Sequence, residues 1–269
     1  MNSHNDNAPL ISIITVSYNS SSTIEETILS IINQTYSNIE YIIIDGGSTD
    51  GTIDIIKKYN DKITYWISEP DKGIYDAMNK GIKKAKGEWI NFMNCGDSFY
   101  SETTIKDVFN IANEDSDIIY GNTNLLYEFG NFIRTASLPT AENYMPFYHQ
   151  SSFSRKEIMQ ERLFDIKYKI CADKNFFYSI FHCGNSFEYV NLIIANYEAE
   201  NGLSSINKIK FKQEIGLIEQ KTSSLNWQIN FAIFKLITYM KNLIKNILPS
   251  KLVTNIKRNR IKKYITHKQ

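Results

Sequence analysis

Apolar residues follow two rhythms along the first hundred positions. Unbroken runs at Ile11-Ser-Ile-Ile-Thr-Val16 and Ile39 to Ile44 have the continuous hydrophobicity of strands buried on both faces. Between them, Ile24, Ile28, Ile31 and Ile32 recur at helical spacing within Thr23 to Asn33. Glu25 and Glu26 fall in the first turn, where the helix dipole favours anions. The alternation continues: Asp50 to Tyr59 predicts a second helix, Ile63 to Ile67 a third strand, Tyr75 to Ala85 a third helix and Glu88 to Met93 a fourth strand. Strands alternating with helices imply right-handed crossovers and an α/β fold, its mostly parallel sheet covered on both faces. Such sheets bind ligands at the carboxyl ends of their strands, so the polar residues after each strand carry the functional question.

Beyond residue 100 the alternation loosens. Thr103 to Asn113 predicts a helix, Asp117 to Tyr120 a short strand, Leu125 to Thr135 a hairpin, Asp173 to Phe181 a helix and Tyr189 to Ile194 a strand. Leu225 to Leu248 places Ile229, Ile233, Leu236, Met240, Leu243 and Ile247 on one stripe, with Lys235, Lys241 and Lys245 off it. That is a long amphipathic helix, ended by Pro249. The expected organisation is an α/β domain over 1–210 and a helical, basic extension over 211–269.

Charge sharpens this division. The chain of 269 residues has a net charge of +1, yet no acidic residue follows Glu219. Residues 1–219 hold 19 of the 30 Lys and Arg against all 29 Asp and Glu, a net of −10. An acidic body with a basic tail implies two parts with different partners. An apolar content of 42% excludes a disordered chain. Three scattered cysteines (Cys95, Cys171 and Cys183) without C-x-x-C spacing argue against a disulfide framework or structural zinc. Met1 to Pro9 is polar, without an apolar signal core, and no run of apolar residues is long enough to span a bilayer. A cytoplasmic protein is expected.

Four polar clusters follow the first four strands: Ser17-Tyr18-Asn19, Asp45 to Gly51, Glu69 to Gly73, and Asn94-Cys95-Gly96-Asp97. All four should meet on one edge of the sheet. Asp45 suits hydrogen bonds from a ribose or base, and Tyr18 suits stacking on a base; both also suit an ordinary turn at a strand end. Neither G-x-G-x-x-G nor a Walker loop is present.

Together these segments resemble the family 2 glycosyltransferases, whose fold is called GT-A. The resemblance rests on Ile11-Ser-Ile-Ile-Thr-Val-Ser-Tyr-Asn19, Ser30-Ile-Ile-Asn-Gln-Thr-Tyr36, Ile44-Asp-Gly-Gly-Ser-Thr-Asp-Gly-Thr52 and Lys80-Gly-Ile-Lys-Lys-Ala-Lys-Gly-Glu-Trp89, and spans roughly Pro9 to Ser205. Glu69-Pro-Asp-Lys-Gly-Ile-Tyr-Asp-Ala-Met-Asn-Lys-Gly81 resembles a bacterial branch that builds surface polysaccharides. The resemblance implies sugar transfer from a nucleotide diphosphate to a hydroxyl of a glycan or lipid-linked acceptor, with inversion. It implies Mn²⁺ or Mg²⁺ as cofactor and a UDP-sugar as donor. It assigns Tyr18 and Asp45 to the uracil and ribose, and Ser48, Asp71, Lys72 and Asn94 to the rest of the nucleotide site.

The metal motif departs from the family's usual Asp-x-Asp-Asp. Only Asp97 keeps its carboxylate in Asn94-Cys-Gly-Asp97, while Asn94 offers a neutral oxygen. One carboxylate with phosphate oxygens and water suffices for a hard cation; the alternative is a structural turn in a degenerate site. His149 is a candidate second ligand, or else an edge residue beside Gln150-Ser151-Ser152. Asp173, before an apolar helical run, is by resemblance the base that takes the acceptor proton; an Asp there also suits a helix N-cap. Asp165 is the runner-up. Asn201 to Ser205 is expected to close over the donor.

Two other classes compete with the transferase. A nucleotidyltransferase would carry a basic, Gly-rich loop after its first strand, which Ser17 to Ser21 lacks. A non-catalytic partner in a polysaccharide assembly would tolerate the lost carboxylates. The basic tail either packs on the domain or meets an anionic membrane; nucleic acid is not an expected partner.

Overall fold

The computed structural model describes residues 8–113, 115–200, 202, 206–248, 252–256 and 258–259. Strands β1 (Ile11–Ser17), β2 (Ile39–Asp45), β3 (Tyr65–Ser68) and β4 (Trp89–Phe92) alternate with helices α1 (Ile24–Ile32), α2 (Thr52–Lys58) and α3 (Ile74–Lys84). They form the parallel run β3-β2-β1-β4. Both faces of this run are buried, as the unbroken apolar sequences require. Ile14 and Val16 face one core with Met78 and Ile82, whereas Ile11 and Ile13 face a second with Ile24 and Ile28.

The second half is mixed. After β5 (Ser98–Phe99) and α4 (Thr104–Ile111) come β6 (Ile118–Tyr127), β7 (Gly130–Arg134), β8 (Ser152–Arg155), α5 (Lys156–Glu161), α6 (Ala172–His182) and β9 (Phe187–Glu198). The sheet order is β3-β2-β1-β4-β8-β6-β9-β5, with β7 paired to β6. β8 runs antiparallel to both β4 and β6. The expected hairpin exists, but the strands predicted at Asp117–Tyr120 and Tyr189–Ile194 are longer, because β6 and β9 pair in parallel along most of their length.

Two helices close the described chain, α7 (Lys208–Ile218) and α8 (Leu225–Ile247). The expected division at residue 210 cuts α7. This helix buries Ile218 and packs Phe211 and Ile215 against the core that holds Ile14, Val16, Met78 and Ile82. α8 rests on α7 through Trp227, whose indole fills the space a Cβ at Gly216 would need. The loop Asn201 to Ser205, apart from Gly202, and the helix stop at Pro249 lie outside the described residues, as does most of Met1 to Pro9.

Candidate active site

The four strand-end clusters do meet on one edge. Their tie is Asp45, the last residue of β2, which is fully buried. Its Oδ1 accepts hydrogen bonds from Ser17 Oγ (2.8 Å) and Ser48 Oγ (2.5 Å). Its Oδ2 accepts from Ser68 Oγ (2.6 Å) and from the N–H groups of Gly47 (3.0 Å) and Ser48 (2.8 Å). Burial alone would raise this carboxyl; the bonds from Ser48, Ser68 and Ser17 outweigh it and hold it below the ordinary carboxylate range. A carboxylate offers about four lone-pair sites, so five donors saturate it. Asp45 therefore joins the ends of β1, β2 and β3. Ser48 is likewise buried, its hydroxyl shared between Asp45 and the Asn19 N–H.

Tyr18 and Asp71 meet above Gly46 at the same strand ends. Tyr18 is 65% exposed. Asn19 beyond it takes a positive φ of 46° and accepts the Thr49 N–H on its side chain, which turns the β1 loop over the β2 loop. Asp71 caps the Gly73 N–H with Oδ1 at 2.7 Å. Its Oδ2 stands over Gly46, 2.5 Å from where a Cβ would lie, with the Tyr18 ring edge 3.3 Å from the same point. Only glycine leaves room there for the carboxylate beside the ring. Lys72 follows on the exposed rim, its carbonyl 3.3 Å from Lys169 Nζ.

A second line of polar groups runs from the β4 turn to α6. Asn94 Nδ2 lies 3.1 Å from His149 Nε2, and His149 Nδ1 lies 3.2 Å from Asp173 Oδ2. With the imidazole neutral and protonated on Nδ1, Asn94 donates to His149 and His149 donates to Asp173. Both ring nitrogens are thus engaged, and His149 bridges Asn94 and Asp173. Asp173 is not an N-cap. Cys171 holds that position, while Asp173 lies in the first turn of α6. Its Oδ1 accepts the Tyr75 hydroxyl (3.0 Å) and the Lys174 N–H (2.8 Å). Burial pushes its carboxyl up, but His149 and Lys174 more than offset this, so it titrates below the usual range. Asp165 is tied to its own turn through the Lys167 N–H and ammonium.

Asp97 ends the β4 turn, in which Gly96 takes φ of +92°. It is buried, with Oδ2 on Gln150 Nε2 (2.7 Å) and Oδ1 on the Glu198 N–H (3.2 Å). Burial raises its carboxyl to about 7 against the opposing pull of Gln150 and His149. Among the described residues, no three His, Cys, Asp or Glu side chains converge to cage an ion. Nearby, however, three buried amide oxygens have no donor: Asn91 Oδ1, Asn94 Oδ1 and Gln150 Oε1. A raised carboxyl and an orphaned Asn94 oxygen on one turn fit a hard cation that brings its remaining ligands with it.

Tyr75 and Gln150 went unassigned in the sequence. Tyr75 stands inside the quoted Glu69 to Gly81 motif and Gln150 beside His149, so position marked them, although their tasks did not. Asn79 of the same motif clamps Phe164, donating to its carbonyl at 2.8 Å and accepting its N–H at 2.9 Å.

A parallel run β3-β2-β1-β4 extended into a mixed sheet and flanked by helices, with its polar clusters at the strand ends, is a fold of the GT-A type. Comparison with known proteins agrees. The family model described as glycosyl transferase family 2 matches residues 12–184, and the chain belongs to that family. It is an enzyme of the glycosyltransferase class. A PGL/p-HBAD biosynthesis glycosyltransferase of Mycobacterium bovis (BCG / Pasteur 1173P2) is 29% identical over 208 residues, covering 74% of this chain and 80% of the relative. An uncharacterized glycosyltransferase of Haemophilus influenzae is 31% identical over 159 residues, 58% of this chain and 64% of that one. Among solved structures, S. aureus TarS 1-349 in complex with UDP-GlcNAc has a TM-score of 0.64 at 20% identity, covering 78% of this chain and 65% of that one. The mannosyltransferase PcManGT from Pyrobaculum calidifontis, in complex with GDP-Man and Mn²⁺, has a TM-score of 0.61 at 15% identity, covering 78% and 63%. This chain therefore spans just under two thirds of those two structures.

Proposed function

We propose that this chain is an inverting glycosyltransferase that moves a sugar from a UDP-sugar to a hydroxyl of a glycan or lipid-linked acceptor in surface polysaccharide synthesis. The observation that carries this reading is the Asn94–His149–Asp173 line, which joins the turn after β4 to a buried carboxylate in the first turn of α6. Tyr18 stacks on the base, and Asp71 Oδ2 accepts the imino N–H that uracil presents. Lys72 meets the diphosphate from the rim. Asp45 and Ser48 act beneath them by fixing the loops.

Asp173 takes the acceptor proton as the acceptor oxygen bonds to the anomeric carbon and the bond to the diphosphate breaks. One base on one face and direct displacement give inversion, without a covalent intermediate. His149 and Tyr75 hold the carboxylate in place for this. Asp97 and the Asn94 oxygen would hold Mn²⁺ or Mg²⁺ together with the donor, and such an ion neutralises charge on the departing diphosphate. The complexes of TarS with UDP-GlcNAc and PcManGT with Mn²⁺ support a donor and a cation of these classes.

We infer that the α8 extension and the basic residues after Glu219 bind the cytoplasmic face of an anionic membrane, which would bring the enzyme to a lipid-linked acceptor. Among the described residues, no helix is long and apolar enough to cross a membrane. The division we infer is a catalytic body that includes α7, followed by α8 and the basic tail as the lipid-facing part. The test is a donor panel with Mn²⁺ and EDTA controls: UDP-glucose, UDP-galactose, their N-acetyl forms, GDP-mannose and dTDP-rhamnose. Metal-dependent UDP release, lost in Asp173→Asn and Asp97→Ala, is expected. Binding without turnover by any donor and acceptor would instead support a non-catalytic sugar-nucleotide-binding partner.

A further inference from the structure

The family match ends at residue 184, yet a side chain thirty residues later reaches the backbone that carries Asp173. Glu214, in the middle of α7, is buried, and its carboxylate accepts three successive backbone N–H groups. Oε1 takes Lys169 N–H at 2.9 Å, while Oε2 takes Ile170 and Cys171 N–H, each at 2.9 Å. Cys171 is the N-cap residue of α6, and Asp173 follows two positions later. The donors therefore belong to the segment whose path fixes where Asp173 emerges.

Three consecutive N–H groups at a helix start form a concentrated positive end that wants an anion. Charge-assisted bonds are roughly twice as strong as neutral ones, and buried N–H groups left without an acceptor are costly. Glu214 answers all three from a different element. The opposite side of the same segment is held by Tyr75, whose hydroxyl donates to the Ile170 carbonyl at 2.7 Å and reaches Asp173 at 3.0 Å. Tyr75 and Glu214 thus clamp residues 169–171 from two sides, one from the donor half of the fold and one from the C-terminal part.

We propose that Glu214 is a positioning residue for sugar transfer: through the backbone N–H groups of residues 169–171 it sets the placement of the Asp173 carboxylate, so that α7 is a working part of the active site. The proposal rests on the reading of Asp173 as the base. A buried helix anchor would stabilise the fold without any preference for the catalytic step. A positioning role should act on kcat and leave donor binding intact, because Tyr18 and Asp71 stand on loops that Glu214 does not touch.

The experiment uses the full chain as wild type, Glu214→Gln, Glu214→Asp, Asp173→Asn and the double variant Glu214→Gln/Asp173→Asn. Turnover of the donor found in the panel, UDP affinity and backbone hydrogen exchange over residues 165–180 are measured at a temperature where every variant is folded. The expected result for Glu214→Gln is a fall in kcat of about 10- to 100-fold, the range a displacement on the order of 1 Å produces. UDP affinity should stay within about twofold and exchange at 169–175 should rise, with partial recovery of both kcat and protection in Glu214→Asp, which keeps the charge. In the double variant, Glu214→Gln should cost nothing beyond Asp173→Asn, since residues acting as one unit are not additive. Unchanged exchange at 169–175, or equal losses of kcat and UDP affinity, or a full extra loss in the double variant, would overturn the proposal. If Asp173→Asn keeps wild-type turnover, the base assignment fails instead, and the exchange data still judge what Glu214 holds. Should Glu214→Gln not fold, Glu214→Asp carries the same comparisons.

Discussion

His149 Nδ1 lies 3.2 Å from Asp173 Oδ2, and this contact helps hold the buried carboxyl below the usual range. Burial raises the Asp173 carboxyl; the His149 contact is the largest influence in the opposite direction. Replacing His149 by Ala should let burial win. The folded-state pKa of Asp173 then rises, and because the base must be ionised, the acid limb of kcat/KM moves to higher pH. Rate at neutral pH should fall by about 10- to 100-fold, within the range expected of a general base that loses its setting. A pH–rate profile checks this; an acid limb that stays in place would separate His149 from Asp173.

Asp45 gives the opposite kind of prediction, one of stability. Its carboxyl is held below the ordinary value by hydroxyl and N–H donors despite burial. A depressed folded-state pKa contributes stability that is complete above the unfolded value of about 3.9 and is lost as pH falls through the folded value. Asp45→Asn removes the charge and sets an amide N–H₂ against groups that are all donors. A loss of about 1–3 kcal/mol is expected at neutral pH, the cost of unsatisfied buried groups. The gap to wild type should close as pH drops below about 4. Thermal melting across pH measures both.

Gly46→Ala tests the donor side without touching a charge. The new Cβ would lie 2.5 Å from Asp71 Oδ2 and 3.3 Å from the Tyr18 ring, so the carboxylate must move. UDP affinity should fall by about tenfold, equivalent to 1.4 kcal/mol. Melting should shift little, because Asp71 sits toward the solvent edge. Asp71→Asn should weaken UDP similarly, since its amide offers a donor as well as an acceptor. Calorimetric titration with UDP checks both variants, and unaltered affinity in both would remove Asp71 from base recognition.

The first four strands and three helices were legible because their burial is two-sided and periodic. β8 was not, for its buried Ser152 and Ser154 make no hydrophobic signal. α7 mixes lysines with apolar residues around Gly216, and its helix makes sense only once Trp227 is packed on it. At the site, the strand-end clusters were legible as a group but their division of labour was not. The sequence marks Asp45 but not the hydroxyls of Ser17, Ser48 and Ser68 that meet it from three strand ends. It marks His149 but not its contacts with Asn94 and Asp173, which lie 55 and 24 positions away. Tyr75 meets Asp173 across 98 positions of sequence, a separation no local pattern reports.

The last prediction concerns α8, which has two apolar faces. Trp227, Phe231 and Phe234 are partly covered on the α7 side. The other face leaves Leu225 71%, Leu236 62%, Met240 53% and Leu243 64% exposed. Between the two faces, Lys212 and Lys221 join Trp227, Ile233, Phe234 and Ile237 in lining a groove. No acidic residue follows Glu219, so every charge beside the apolar stripe and beyond it is positive. A second protein surface would need to be both apolar and densely acidic to match. An anionic bilayer offers both at once, with about 1 kcal/mol for each Lys or Arg near the surface. Leu236→Glu/Met240→Glu should therefore abolish co-sedimentation with phosphatidylglycerol-containing vesicles, and raised salt should weaken wild-type binding. Turnover on a soluble acceptor should be unchanged, because the substituted side chains stand away from the cleft. Sedimentation equal to wild type, or a pure phosphatidylcholine vesicle binding as well as an anionic one, would exclude the charged-membrane role.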